Sequence, residues 1–357
     1  MEELETTSVD SLIQEYAIRV DSTRPVSLGT IHVDKETRVF EAEYASIRAY
    51  LIDTPATRKI ACHPYVVGTE LEGLAYAAAE KSLPVILGLS GIYNRHEGEI
   101  VFEQILRAAP GYQLHRAARR LIPRNFRTVY TRPRYTHTSY RDHDGVVQRQ
   151  INVIYEDFSE LPSGKDVFII MQDTVASGRS AEISFDEALR HCEEVGSRIK
   201  KWIVYGFISL EGLEILQRLA ESHGVPLIAF AMGNLTALCA NKYDMPLYGV
   251  DEWRWRKDHQ VHKLGALVDR RTFLDYVREL IPGADQPGDW SARQTRLYTG
   301  LGYEQGDVPG HLENSIRLIK SLLEIGTLTE WQRQLAFKEL GILQAELSEL
   351  RPQSKQD

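Results

Sequence analysis

Residues 166–181, DVFIIMQDTVASGRSA, constrain the fold more than any other stretch of the chain. Val167, Phe168, Ile169, Ile170 and Met171 form an apolar run without polar alternation, the pattern of a strand buried on both faces of a parallel sheet. Gln172, Asp173, Thr174, Val175, Ala176, Ser177, Gly178, Arg179 and Ser180 follow, and then a helical pattern begins. A buried strand, a turn of small residues and a helix start make an anion site, because turn N–H groups and the positive helix end converge on one point. Gly178 lets the backbone approach an anion closely, Ser177 and Ser180 add hydroxyl donors, and Arg179 offers a charge-assisted bond. Asp173, at the strand's carboxyl end, repels phosphate but accepts hydrogen bonds from sugar hydroxyls. Together they describe a sugar-phosphate binder; the plainer alternative is an ordinary strand–turn–helix crossover.

The same alternation continues downstream. Residues 182–195 place Phe185, Ala188, Leu189, Cys192 and Val195 on one helical face, residues 202–208 are a second buried strand, and 210–223 are a helix closed by Gly224. Residues 226–232 are a further strand. Strands alternating with helices of this length predict an α/β fold with a doubly wound parallel sheet, whose ligands sit at the carboxyl ends of its strands. Upstream, residues 100–102 lead into Ile105-Leu106-Arg107-Ala108-Ala109-Pro110-Gly111 and a helix over 112–121. The small residues Ala108, Ala109 and Gly111 permit close approach, and Arg107 supplies a bidentate fork or, more plainly, a solvated charge. Residues 126–130 predict a strand. Residues 131–150 gather Arg132, Arg134, Arg141, Arg149, His137 and His143 with Tyr135 and Tyr140 in an exposed loop or hairpin.

The segment Gln172–Ser180 resembles the phosphoribosyl-diphosphate (PRPP) motif of type I phosphoribosyltransferases. Gln172 stands where the first of two acids is usual, and Arg179 where a glycine often follows Gly178. Ile105–Gly111 is similar to the diphosphate loop of the uracil phosphoribosyltransferase branch. Ser209-Leu210-Glu211-Gly212-Leu213 and Tyr243–Asp251 resemble later segments of that branch, so the likeness spans about residues 98–252. It implies that Ser177, Gly178, Arg179 and Ser180 hold a 5-phosphate, with the Thr174-Val175-Ala176 backbone completing the loop. It assigns the ribose hydroxyls to Asp173 and Gln172, and the diphosphate to Arg107, Ala108, Ala109 and Gly111. It implies a mobile flap over 131–150 that brings Arg132, Arg134 and Tyr140 onto the ligand, and a base side near Tyr248, Gly249 and Asp251. It also implies Mg2+ bound through PRPP, with no metal site of the protein's own.

Residues 1–84 read as an N-terminal α+β extension: Ile18–Val20 and Thr37–Phe40 have strand character, residues 44–51 suit either a strand or a short helix, and 70–81 a helix. His63 reads as a structural histidine. Residues 85–252 form the phosphoribosyltransferase-like core, with its flap or hood, and 253–357 a mainly helical C-terminal extension. In that extension 282–299 predict a linker, and 311–325 and 329–350 predict two amphipathic helices broken at Gly326. Thr329 and Gln332 make a capping box. Leu335, Leu340, Leu343, Leu347 and Leu350 form a stripe that needs a partner surface: docking onto the core is favoured, and a homodimer is also expected.

With 42 Lys and Arg against 50 Asp and Glu, the net charge is −8, which argues against a dedicated nucleic-acid binder. Cys62, Cys192 and Cys239 show no disulfide or zinc spacing, the N-terminus has no signal-like apolar region, and no membrane span is apparent. A cytoplasmic location is expected. The resulting expectation is a PRPP-dependent pentosyltransferase acting on a nitrogenous base, uracil by resemblance, and releasing pyrophosphate. The rival is a non-catalytic PRPP- or nucleotide-binding regulator of the same fold. An RNA-binding protein using 131–150 and 253–257 is the weakest alternative.

Overall fold

The computed structural model describes residues 6–29, 31–44, 46–95, 97–122, 126–135 and 151–350. His137, Tyr140, Arg141, His143 and Arg149 of the expected flap lie outside these residues.

The chain opens with α1 (Thr6–Glu15), the short strand β1 (Thr23–Pro25) and the hairpin β2 (Arg38–Tyr44) and β3 (Ile47–Asp53). Helices α2 (Pro55–Cys62) and α3 (Gly68–Leu89) lead to β4 (Ile100–Ile105), a 3-10 turn Ala109–Tyr112 and α4 (Leu114–Leu121). Next come β5 (Arg127–Tyr135), β6 (Ile151–Asp157), β7 (Asp166–Gln172), α5 (Arg179–Glu194), β8 (Arg198–Ser209), α6 (Leu210–Ser222) and β9 (Leu227–Thr236). The remainder holds α7 (Glu252–Asp258), α8 (Arg270–Tyr276), a two-stranded ribbon of Leu297–Tyr298 and Tyr303–Glu304, α9 (Val308–Ile325) and α10 (Glu330–Leu350).

β1 to β9 form one sheet in the order β1-β2-β3-β9-β8-β7-β4-β5-β6. The neighbours from β3 to β5 run parallel, while β1, β2 and β6 add antiparallel margins. The chain is therefore an α/β protein built on a large, mostly parallel sheet, as its alternating pattern predicts. The unalternated run of β7 is buried on both faces. Phe168 and Ile170 join the core shared with α3 and α4, and Val167, Ile169 and Met171 join the core beneath α5 and α6.

Several local expectations are corrected. Ile18–Val20 contribute an isolated bridge from Arg19 to Leu267 and no named strand, whereas of the two alternatives for 44–51 the strand stands, with Ile47–Leu51 in β3. The helix expected over 70–81 is α3, which continues through Pro84 because Leu83, Val85, Ile86 and Leu87 are all buried. Residues 282–299 are not a linker. Trp290, Arg293 and Gln294 are buried, and Arg293 donates to the carbonyls of Ile60, His63, Val66 and Pro287. Composition hid this, since turn residues in a buried, hydrogen-bonded loop look like those of an exposed one. Helices α9 and α10 dock on the core, with Ala336 and Leu343 fully buried, and Thr329 N–H donates to Gln332 Oε1 at 2.9 Å.

Candidate functional site

The direction of the chain reverses between β4 and β7. From β4 it winds outward to β5, and from β7 it winds the other way through β8 and β9. At such a switch point the two loops leaving the strands diverge and open a crevice. Here these are the Arg107 loop after β4 and the Asp173–Ser180 turn after β7. The hydroxyls of Tyr112 and Thr174 tie them together at 2.5 Å.

The turn after β7 is held from beneath by α6. Ser209 caps that helix by accepting from Gly212 N–H at 2.8 Å, and its own hydroxyl donates to Ala176 O at 2.5 Å. Gly212 is required here: a Cβ would stand 2.5 Å from Ala176 O. Gly178 has φ +76°, in the left-handed region, and directly precedes α5, so the first N–H groups of that helix face the turn without intrahelical partners. Arg179 is exposed and pairs only loosely with Glu182 at 3.7 Å. Ser177 and Ser180 are half-buried at the same opening, Val175 is buried, and Ala176 and Thr174 are partly exposed.

Asp173 is 6% exposed at the end of β7. Burial pushes its carboxyl up to about 7, against the opposing Thr174 N–H bond, so near neutral pH both charge states are populated. Gln172 is different. Its side chain turns toward α4, where Oε1 accepts from Leu114 N–H at 2.8 Å and Nε2 donates to Gln104 Oε1 at 2.8 Å. Nε2 also stands 2.9 Å from His115 Nδ1, and burial, with Arg119 and Arg116, lowers His115 to about 4, leaving a neutral ring that can accept. Gln113, the residue before α4, makes no side-chain cap bond, so Gln172 caps that helix from another strand. A carboxylate could not also donate, so an amide satisfies both partners here where an acid would not. The expected ribose contact from Gln172 is thereby replaced by a structural one.

Ala108 and Ala109 need no positive φ, since Ala109 lies in the 3-10 turn and the left-handed residue is Gln113 at φ +62°. Gly111 packs on the Gln294 side chain, and the ring of Trp290 stacks on Tyr112. The C-terminal region thus shapes the Arg107 loop. The Arg107 side chain pairs with Glu304, which also reaches Arg132 at 3.5 Å. Arg132 donates to Thr299 O at 3.2 Å, whereas Arg134 is exposed. A cavity of about 330 Å³ opens beside Arg107, lined also by Asp289, Ser291, Gln305, Asp307 and Arg317.

The expected base-side residues are not gathered here. Tyr248 is fully buried between the rings of Tyr16 and Phe273 and has no face for a ligand. Gly249 lies against the backbone of Pro282 and Gly283, and Asp251 caps α7 by accepting from Arg254 N–H while also accepting from Ala240 N–H. That segment is a turn, a short strand Tyr248–Val250 paired with Lys263–Gly265 and a helix cap, which a single sequence does not separate from a ligand loop.

The sequence signals Glu103 only as a lone acid inside Ile100–Ile105. It is fully buried with both carboxylate oxygens unpartnered, and burial, aided by the charge of Asp173, raises it to about 8. It is a neutral acid at neutral pH, on the face of β4 that Val101 and Ile105 turn toward α5. Among the described residues the one potential metal-binding group is Glu156, Glu187 and His191, which Arg190 and Phe158 already engage away from this crevice.

Fold and site together define an α/β protein with a strand–turn–helix crevice at the switch point of its sheet. No protein-family model matches the chain, and no curated protein matches it. Solved structures give distant likenesses. A hypothetical protein from Neisseria gonorrhoeae with bound ppGpp is 11% identical, covering 44% of this chain and 81% of that one, with a TM-score of 0.27. A hypoxanthine phosphoribosyltransferase from Staphylococcus aureus is 10% identical over 40% of this chain and 65% of that one (TM-score 0.24). An adenine phosphoribosyltransferase from Leishmania tarentolae is 14% identical over 42% and 70% (TM-score 0.26).

Proposed function

We propose that this chain binds PRPP in the switch-point crevice and transfers its ribose 5-phosphate to a ring nitrogen of a nitrogenous base, releasing pyrophosphate. One observation carries the proposal: the Arg107 loop and the Asp173–Ser180 turn leave adjacent strands and are joined through Tyr112 and Thr174. An anion cradle, a carboxylate and a guanidinium stand in the order in which PRPP presents its phosphate, ribose and diphosphate.

The transition state of such a transfer is oxocarbenium-like, so the protein's work is positioning and charge stabilisation. The N–H groups at the start of α5, with Ser177 and Ser180, hold the 5-phosphate. Asp173 accepts from the ribose hydroxyls, and Arg107 with the 108–111 backbone neutralises the leaving diphosphate. Arg132, beside Arg107, adds charge, and Arg134 and Tyr140 belong to the flap in this proposal. Asp173 offers one hard oxygen donor, which suits Mg2+ carried mainly on the ligand's own oxygens, and the ion would neutralise diphosphate charge. Residues 243–251 are the base side of the uracil resemblance; with Tyr248 and Asp251 built into the core, the acceptor is proposed only as a nitrogenous base. The three buried thiols, none in a disulfide, suit a reducing cytoplasm, which with a homodimer completes the proposal.

A regulatory, non-catalytic protein is the second candidate, favoured by the engagement of Gln172 in the fold, which leaves Asp173 as the one acid at the ribose position. Incubation with PRPP, Mg2+ and a panel of bases, followed by assay of released pyrophosphate, separates the two. Release dependent on one base and abolished in Arg107→Ala supports transfer. PRPP binding without release by any base supports the regulator, and no PRPP binding at millimolar concentration rejects transfer and leaves of the regulator only a nucleotide-binding form.

A further inference from the structure

The diphosphate arginines already have an anion. Glu304 sits on the ribbon from the C-terminal region and its carboxylate contacts both Arg107 and Arg132. The ribbon is small, with Leu297 paired to Glu304 and Tyr298 to Tyr303. It is seated over the β5–β6 pair by three contacts: the Tyr298 ring on Tyr130 with centroids 5.4 Å apart, Arg132 donating to Thr299 O, and Gly300 packed on the Tyr155 ring. Its turn buries little, since Leu301 is 89% exposed and Tyr303 60%. Apart from Leu297, which is 2% exposed, ring edges and ion pairs hold this strap in place.

We propose that Glu304 is an internal competitor, a carboxylate that occupies the Arg107–Arg132 pair in the unliganded protein and is displaced by an incoming diphosphate. This rests on the assignment of those arginines to the diphosphate. The charges decide the direction. One half-exposed carboxylate gains little from two arginines in contact with water, whereas a diphosphate brings several charges and bidentate geometry to the same forks. The Tyr303–Glu304 strand continues into Gln305, which lines the cavity beside Arg107. Displacing Glu304 therefore moves one wall of that cavity, and diphosphate occupancy is coupled to the shape of the space beside it.

Isothermal titration of the full chain with inorganic pyrophosphate and with PRPP, each with Mg2+, tests the proposal in wild type, Glu304→Gln, Arg107→Ala and the double variant. Removing the competitor's charge is expected to tighten pyrophosphate binding by about three- to tenfold. The gain is expected to vanish when Arg107 is also absent. Glu304→Asp, with a retracted carboxylate, is expected to fall between wild type and Glu304→Gln and serves as the second variant. Equal or weaker binding by Glu304→Gln overturns the competitor, because it would make Glu304 a support that orients the arginines. If Arg107→Ala weakens PRPP binding while Glu304→Gln leaves pyrophosphate affinity unchanged, the competitor alone fails. If no variant binds either ligand at millimolar concentration, the diphosphate site and the competitor fail together.

Discussion

The indole of Trp290 stacks on the phenol of Tyr112 with ring centroids 4.3 Å apart and planes 21° from parallel. Tyr112 ends the loop that carries Arg107, and its hydroxyl meets Thr174 of the facing turn. A residue 178 positions downstream thus sets the spacing of the crevice. Trp290→Ala is expected to lower stability by about 3 kcal/mol, as for a buried aromatic truncated to a cavity. It is also expected to weaken PRPP binding; chemical denaturation and titration calorimetry read the two effects.

Gln172→Glu places an acid at the end of β7 beside Asp173, and it is expected to destabilise the protein. The change removes the donor to Gln104 and His115 and places a charge beside Leu114 N–H in a fully buried site. The expected cost is on the order of 2 kcal/mol. A buried carboxyl has a raised folded-state pKa, so its ionisation opposes folding. The deficit relative to wild type should therefore grow from pH 5 to pH 8, as thermal unfolding across that range would show.

Asp173 accepts sugar hydroxyls best as a carboxylate, and its pKa of about 7 places that form within reach of neutral pH. Wild-type affinity for PRPP should rise between pH 6 and pH 8, whereas Asp173→Asn should lack this increment and bind about tenfold more weakly at pH 8. Stability moves oppositely. The folded pKa lies above the unfolded value, so the stabilising contribution is complete below the unfolded pKa and is lost as pH rises through 7. Asp173→Asn should therefore gain melting temperature relative to wild type as pH rises from 5 to 8.

Gly212→Ala would set a methyl 2.5 Å from Ala176 O and 2.9 Å from Val175 O. Both are backbone atoms of the turn after β7 and cannot rotate away. A loss of about 1–3 kcal/mol is expected, with PRPP affinity falling roughly tenfold as the turn shifts. Wild-type affinity in this variant would show that the turn does not hold the ligand.

Much of the sheet was legible from local pattern. The apolar run of β7, the amphipathic face of α5 and the Gly224 stop after α6 each follow from period and propensity, which short segments carry intact. Ser177, Gly178 and Ser180 were likewise visible, because a strand–turn–helix cradle is contiguous in sequence. The engagement of Gln172, the pairing of Glu304 with two arginines and the burial of Tyr248 and Arg293 were not visible. Each depends on groups far apart in the chain.

By itself, then, the sequence determined the α/β alternation, the buried strand and the small-residue turn that follows it, since these depend on neighbours within one helical turn or one strand. Only the tertiary structure decided which of the polar residues face the crevice and which serve the fold. A carboxamide, a carboxylate or a guanidinium has the same local signature in either role, and long-range contacts alone establish what it bonds.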